Sequence, residues 1–175
     1  MENKFTKRGF TLVELLIYIA VVAIIFLAMV SFILTMSESK AKRTVMSEVA
    51  SSARIIQERL MDAGRHAQTI NVGASTFDVD PGVLSLDMVN VFEDPMVFSL
   101  TGDNGQFQVS TAGGEAIPLT NTTVAITHLL FSNLTSAEDT GIIQVQFTVQ
   151  AVNSSGSPLF DYEESFQTTL RIPLD

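Results

Sequence analysis

Lys7-Arg8-Gly9-Phe10-Thr11-Leu12-Val13-Glu14-Leu15-Leu16 is the stretch from which the rest of the chain is read. Two basic residues and a glycine lead directly into an apolar run that carries one carboxylate near its start. From Leu15 to Ser37 there are 23 residues without a charge. As an α-helix at about 1.5 Å per residue they make about 34 Å, enough for a hydrocarbon core of about 30 Å. Glu14 stands at the edge of this span. A carboxylate toward the middle of a membrane helix costs roughly 2.5–3.5 kcal/mol on insertion scales, so its presence asks for a functional reason.

The chain has 175 residues and a net charge of −9. Setting aside the first ~40 leaves ~135, enough for one domain with its own core. The charge is unevenly spread. Residues 1–60 hold eight Lys/Arg and five Asp/Glu, whereas after residue 60 only Arg65 and Arg171 stand against fourteen acidic side chains. Such a body repels a phosphate backbone, so direct nucleic-acid binding is not expected. There is no cysteine, hence no disulfide framework, thiolate metal site or thiol nucleophile. This composition is compatible with an oxidising, extracytoplasmic location.

A cleaved secretory signal has a basic start, an apolar stretch of about 7–15 residues and a small-x-small cleavage site. Lys4, Lys7 and Arg8 supply the start, but the apolar run is too long and no such site follows. A plain signal anchor explains the length without explaining Gly9 or Glu14. Residues 7–17, Lys-Arg-Gly-Phe-Thr-Leu-Val-Glu-Leu-Leu-Ile, resemble the processing motif of type IV prepilins and of type II secretion pseudopilins. The similarity covers roughly residues 4–36.

The resemblance implies a membrane-embedded prepilin peptidase that recognises Lys7 and Arg8 and cuts between Gly9 and Phe10. Phe10 is then N-methylated by the same peptidase/methyltransferase. It also implies that Glu14, fifth in the mature chain, pairs with the N-terminal amine of a neighbouring subunit. The chemistry suits this. Glycine lets an extended backbone approach a protease closely, and the new amine is cationic at neutral pH. Glu14 lies in the first helical turn, where the dipole favours an anion. Pairing in a low-dielectric bundle would neutralise both groups and fix their register. The bland alternative is that Glu14 caps its own helix end. Many major pilins carry a proline where this chain has Ser31. Its absence permits an unkinked helix, although serine can bond back to the preceding turn.

The resulting division is a leader at residues 1–9, a membrane and filament-core helix at 10–37, an amphipathic continuation at 38–64 and a strand-rich domain at 65–175. In the continuation, Val45, Val49, Ser52, Ile56, Leu60 and Ala63 fall on one helical face, and Gly64 reads as a C-terminal cap. After Arg65 the period becomes two. Phe77/Val79, Leu84/Leu86/Met88, Met96/Phe98/Leu100, Phe107/Val109, Ile143 to Ala151 and Phe166 to Ile172 read as strands, and 124–131 as a central one. Asp80-Pro81-Gly82, Asp103-Asn104-Gly105, Gly113-Gly114 and Asn153-Ser154-Ser155-Gly156 supply the turns, Asn104-Gly105 as a hairpin signal. The fold class is α+β, with a long N-terminal helix packed on an antiparallel sheet domain, the architecture of pilin-like subunits.

Little else points to chemistry. His66 suits a helix end and His128 a packed or edge position. No catalytic grouping or metal-ligand spacing is apparent, and neither an enzyme activity nor a cofactor is expected. Asp78, Asp80, Asp87, Glu93, Asp94 and Asp103 are the residues from which a calcium site would have to be drawn. The Asn121 and Asn133 glycosylation patterns read as incidental. The expected function is structural: a minor pilin or pseudopilin that helps initiate or cap a type IV filament or secretion pseudopilus. The final strand, Phe166 to Arg171, is similar to that of J-type tip pseudopilins. Expected partners are other major and minor subunits and the lipid of the cytoplasmic membrane, with the C-terminal domain outside. The competing reading is a permanently anchored extracytoplasmic binding or adhesin protein.

Overall fold

The computed structural model describes residues 11–102, 105–135, 141–153 and 156–173. Helix α1 runs Leu12–His66. Its residues through Ala41 belong to one compact unit, and Lys42 onward to a second.

In the first unit, Thr11 through Lys40 is exposed on all faces in the isolated chain. The helix is long and apolar enough to cross a membrane. It continues without a break through Ser31. Thr35 Oγ1 donates to the Ser31 carbonyl at 3.0 Å, and Ser39 Oγ donates to the Thr35 carbonyl at 2.9 Å. These two hydroxyl protons are therefore satisfied within the helix itself, and that of Thr35 lies inside the uncharged span Leu15–Ser37, where an unpaired polar group in lipid would be costly.

In the second unit, α1 residues 42–66 pack one face against antiparallel strands, giving the α+β, pilin-like architecture. Val49, Ala53, Ile56, Leu60 and Ala63 share a single core cluster with the inward side chains of the strands. The stripe is the one that helical spacing predicts, with Ala53 and Gly64 added. Gly64 is not a cap, because two more helical residues follow it. A Cβ there would lie 3.1 Å from Leu170 Cδ2, so the missing side chain lets α1 approach that strand closely.

The strands form two sheets rather than one. The first has β1 (Ala67–Ile70), β2 (Leu84–Met88), β3 (Met96–Leu100), β4 (Phe107–Thr111) and β5 (Ile117–Pro118), in that spatial order. The second has β6 (Val124–Asn133), β7 (Gly141–Ala151) and β8 (Glu163–Ile172), with β7 in the middle. All pairings are antiparallel. β7 alternates buried and half-buried over its whole length, as a strand with one core face should. Phe98 stacks on Phe107 at 5.7 Å in the first sheet, and Phe147 on Phe166 at 5.5 Å in the second.

Three local readings change. β6 lies at an edge, not the centre. Its apolar run looked continuous because the register shifts between Ile126 and His128. Val124 and Ile126 face the core before the shift, Leu129 and Phe131 after it. Phe77 and Val79 are not in a strand. They belong to a loop that closes the free edge of β6: Asp78 N–H donates to Phe131 O at 2.9 Å and Gly82 N–H to Leu129 O at 2.8 Å. The β3–β4 hairpin forms as expected, although Asp103 and Asn104 lie outside the described residues. Gly105 has φ of +57°, and a Cβ would sit 2.7 Å from Ile126 O. Its carbonyl accepts the Ile126 N–H at 2.7 Å, so the hairpin of one sheet is bonded to the edge strand of the other.

The adjacent residues Ile55 and Ile56 test the helix–sheet contact, since the first is 44% exposed and the second 0%. Ile56→Ala should lower stability by about 2–5 kcal/mol and Ile55→Ala by less than about 1 kcal/mol. Denaturant unfolding of the full chain in micelles measures both.

Candidate functional site

α1 begins with a threonine cap. Thr11 Oγ1 accepts the Glu14 N–H at 3.3 Å, and the Thr11 carbonyl accepts the Leu15 N–H at 3.2 Å. Thr11-Leu12-Val13-Glu14 has the spacing of a capping box, but only the threonine half is made. The Glu14 carboxylate has no hydrogen-bond or ion-pair partner among the described residues. Threonine thus satisfies an orphan donor of the first turn, and the carboxylate remains available to another group. The sequence reading overlooked Thr11, although the Thr-x-x-Glu pattern was there to be read. Lys7, Arg8, Gly9 and Phe10 lie outside the described residues.

The acidic residues of the strand-rich domain go to separate tasks. Asp78 Oδ1 accepts Ser132 Oγ–H at 2.6 Å. Asp87 Oδ1 accepts from Asn71 Nδ2 at 3.1 Å, and Asp94 Oδ1 from the Met88 N–H at 2.9 Å. Asp80 bridges to β6: Oδ1 accepts the Leu129 N–H at 2.9 Å and Oδ2 meets His128 Nδ1 at 2.5 Å. Among the described residues no three His, Cys, Asp or Glu side chains gather as metal ligands would. The Leu129 N–H holds the Asp80 carboxyl below its usual range. Partial burial opposes that shift, and the hydrogen bond and charge of His128 add to it.

The end of α1 carries a second feature. His66 closes the helix, its Nδ1 2.9 Å from the Asp62 carbonyl. Beside it lies a groove of about 380 Å³ lined by Ala63, Met88 and Met96 together with the polar Arg59, Asp62, His66, Asn90 and Glu93. On the adjoining β2–β3 loop, Val89, Val91 and Phe92 are 71%, 75% and 84% exposed. The sequence reading passed over these three, because apolar residues after a strand look like its continuation. Asn90 and Glu93-Asp94-Pro95 around them were the turn signal.

Residues 4–30 match the family model described as the prokaryotic N-terminal methylation motif. No curated protein and no solved structure matches the chain. The motif supports a type IV pilin-like protein, one that a prepilin peptidase processes and that assembles with other pilins. Together with the long apolar helix, it is consistent with a single-pass membrane anchor.

Because the folded-state pKa of Asp80 is depressed, its charged form stabilises the fold above the unfolded carboxylate value of about 3.9. That contribution is lost as the pH falls through the lower, folded value. Asp80→Asn should therefore melt below the parent chain at pH 7, and the difference should shrink steadily below about pH 4. Melting curves of both full-length chains across that range give the answer.

Proposed function

We propose that this chain is a minor pilin or minor pseudopilin. It is cut between Gly9 and Phe10, N-methylated on Phe10, and built through α1 into a type IV filament or type II secretion pseudopilus whose assembly it helps to start or cap. One observation carries the reading. The methylation motif at residues 4–30 coincides with a helix whose first turn is already capped by Thr11, which leaves the Glu14 carboxylate without a partner among the described residues.

Cleavage removes Lys4, Lys7 and Arg8 and creates an amine one helical turn from Glu14. Transfer into a filament exchanges lipid for sister helices along the apolar span, where packing and polar pairing drive association. Glu14 meets the amine of a neighbour, so the charge that is costly in lipid fixes the axial register in the bundle. The subunit works by position and requires neither a reaction nor a cofactor of its own. The unbroken helix at Ser31 and the two-sheet domain, with eight strands among the described residues, support a specialised subunit over a shaft subunit, with a J-type tip role as the finer assignment.

Two measurements test this. With a prepilin peptidase present, the mature N-terminus should be Phe10 carrying a methyl group. An intact Met1, or a cut elsewhere, would overturn the reading in favour of a permanent anchor. Glu14→Val should be cleaved normally, yet its recovery in sheared filaments should fall roughly tenfold or more, as expected when a buried pair loses one partner.

A further inference from the structure

Three Asn-x-Ser/Thr triplets occur in the chain: Asn121-Thr122-Thr123, Asn133-Leu134-Thr135 and Asn153-Ser154-Ser155. Such a triplet is the acceptor pattern for N-linked glycans on surface loops of exported proteins. The pattern demands a hydroxyl two residues after the asparagine. A transferase that reads it must therefore meet that hydroxyl as well as the amide nitrogen. Residue type alone does not rank the three triplets, but their hydrogen bonds do.

At Asn153 the amide nitrogen is engaged. The residue is half-buried, and its Nδ2 donates to the Ser157 carbonyl at 2.8 Å. At Asn133 the amide is exposed, but the hydroxyl is engaged. Thr135 Oγ1 accepts the Ile142 N–H at 3.0 Å and lies 3.5 Å from the Ile142 carbonyl. It helps to close the β6–β7 hairpin, where Leu134 N–H also donates to the Ile142 carbonyl at 2.8 Å. A transferase would have to open that hairpin to reach it. At Asn121 both groups are accessible, since Asn121, Thr122 and Thr123 are all exposed. Thr123 N–H and Thr123 Oγ1 donate to Asn121 Oδ1 at 3.2 and 2.6 Å. Asn121 Nδ2 meets no acceptor among the described residues. Two hydrogen bonds on Oδ1 draw electron density toward the oxygen, which makes an Nδ2 proton easier to lose. The triplet also stands on a fixed base. Thr120 Oγ1 accepts the Phe107 N–H at 3.1 Å on one side, and the Thr123 carbonyl accepts the Val152 N–H at 2.8 Å on the other.

We propose that Asn121 is an N-glycosylation site, modified by a membrane-embedded transferase that uses an oligosaccharide carried on a polyprenyl pyrophosphate. Asn121 Nδ2 forms a bond to the first sugar's C1 as the bond from C1 to the pyrophosphate oxygen breaks. The polyprenyl pyrophosphate leaves with that electron pair, Nδ2 gives up one proton, and nothing is oxidised or reduced. The glycan places a bulky, solubilising group just before β6. The proposal rests on the pilin-like reading for the extracytoplasmic position of the domain. The helix anchor then keeps the acceptor at the membrane that carries the lipid-linked donor.

The test is peptide mass spectrometry on the full-length chain purified from the cells that make it, with fragmentation that locates the modified atom. The peptide holding Asn121 should carry a sugar mass on Asn121, and the peptides holding Asn133 and Asn153 should not. Asn121→Gln and Thr123→Val should each abolish that mass, whereas Thr123→Ser should keep it. An unmodified Asn121 overturns the proposal. So does a glycan on Asn133 or Asn153 in its place, a sugar that survives Asn121→Gln on Thr122 or Thr123, or one that survives Thr123→Val. The same digest reports the N-terminus. A bare Asn121 beside a methylated Phe10 overturns this inference and leaves the pilin reading standing. A glycan on Asn121 beside an intact Met1 does the reverse, and a bare Asn121 with an intact Met1 overturns both.

Discussion

The domain depends on one face of one helix. Val49, Ala53, Ile56, Leu60 and Ala63 fill the space between α1 and the strands with side chains at most 1% exposed. Without that face, the inner sides of two separate sheets would have nothing to cover them. The contact is close because Gly64 has no side chain to keep Leu170 away. From Leu15 to Met36 the same helix carries no charge and is apolar on nearly every side. Such a surface belongs in lipid or among other helices. One element therefore holds two surfaces of different chemistry, a narrow stripe that folds a domain and a full cylinder that does not.

What could be read from the sequence follows from how local each cause is. The α1 stripe and the alternation of β7 were legible, because each depends on a single element facing a single core. β6 misled because a register shift near Thr127 puts two short alternations out of phase, and the sum looks uniformly apolar. Phe77 and Val79 misled in the opposite way. They alternate like a strand, but Asp78 and Asp80 give that segment side-chain bonds to β6 in place of a ladder. β1 and β5, with four and two residues, are too short for any period to show. At the helix start, Glu14 was conspicuous as a charge beside lipid, while Thr11 was ordinary in composition and became meaningful only by its position. The Val89–Phe92 loop was hidden because exposure is a property of the fold and not of residue type.

Charge is unevenly divided along the chain, with eight of its ten basic residues before residue 61. Glu14 is the one carboxylate at the start of the uncharged span Leu15–Ser37, and it has no partner among the described residues. The acidic domain is held soluble by its net charge, and its exposed apolar loop stands out against that background.

The bonding of Asp78, Gly82 and Gly105 to β6 bears on how copies of this domain behave when crowded side by side. An open strand edge is a template for adding strands from other chains. Here the β6 edge is occupied by the domain's own loops, and β5 is two residues long and ends in Pro118, which cannot donate to a ladder. β8 begins with Glu163 and Glu164, both exposed, so a like strand would meet like charge. Sheet-to-sheet polymerisation is thereby discouraged at three edges. A domain closed in this way can be packed at high local density without its strands joining those of neighbouring copies.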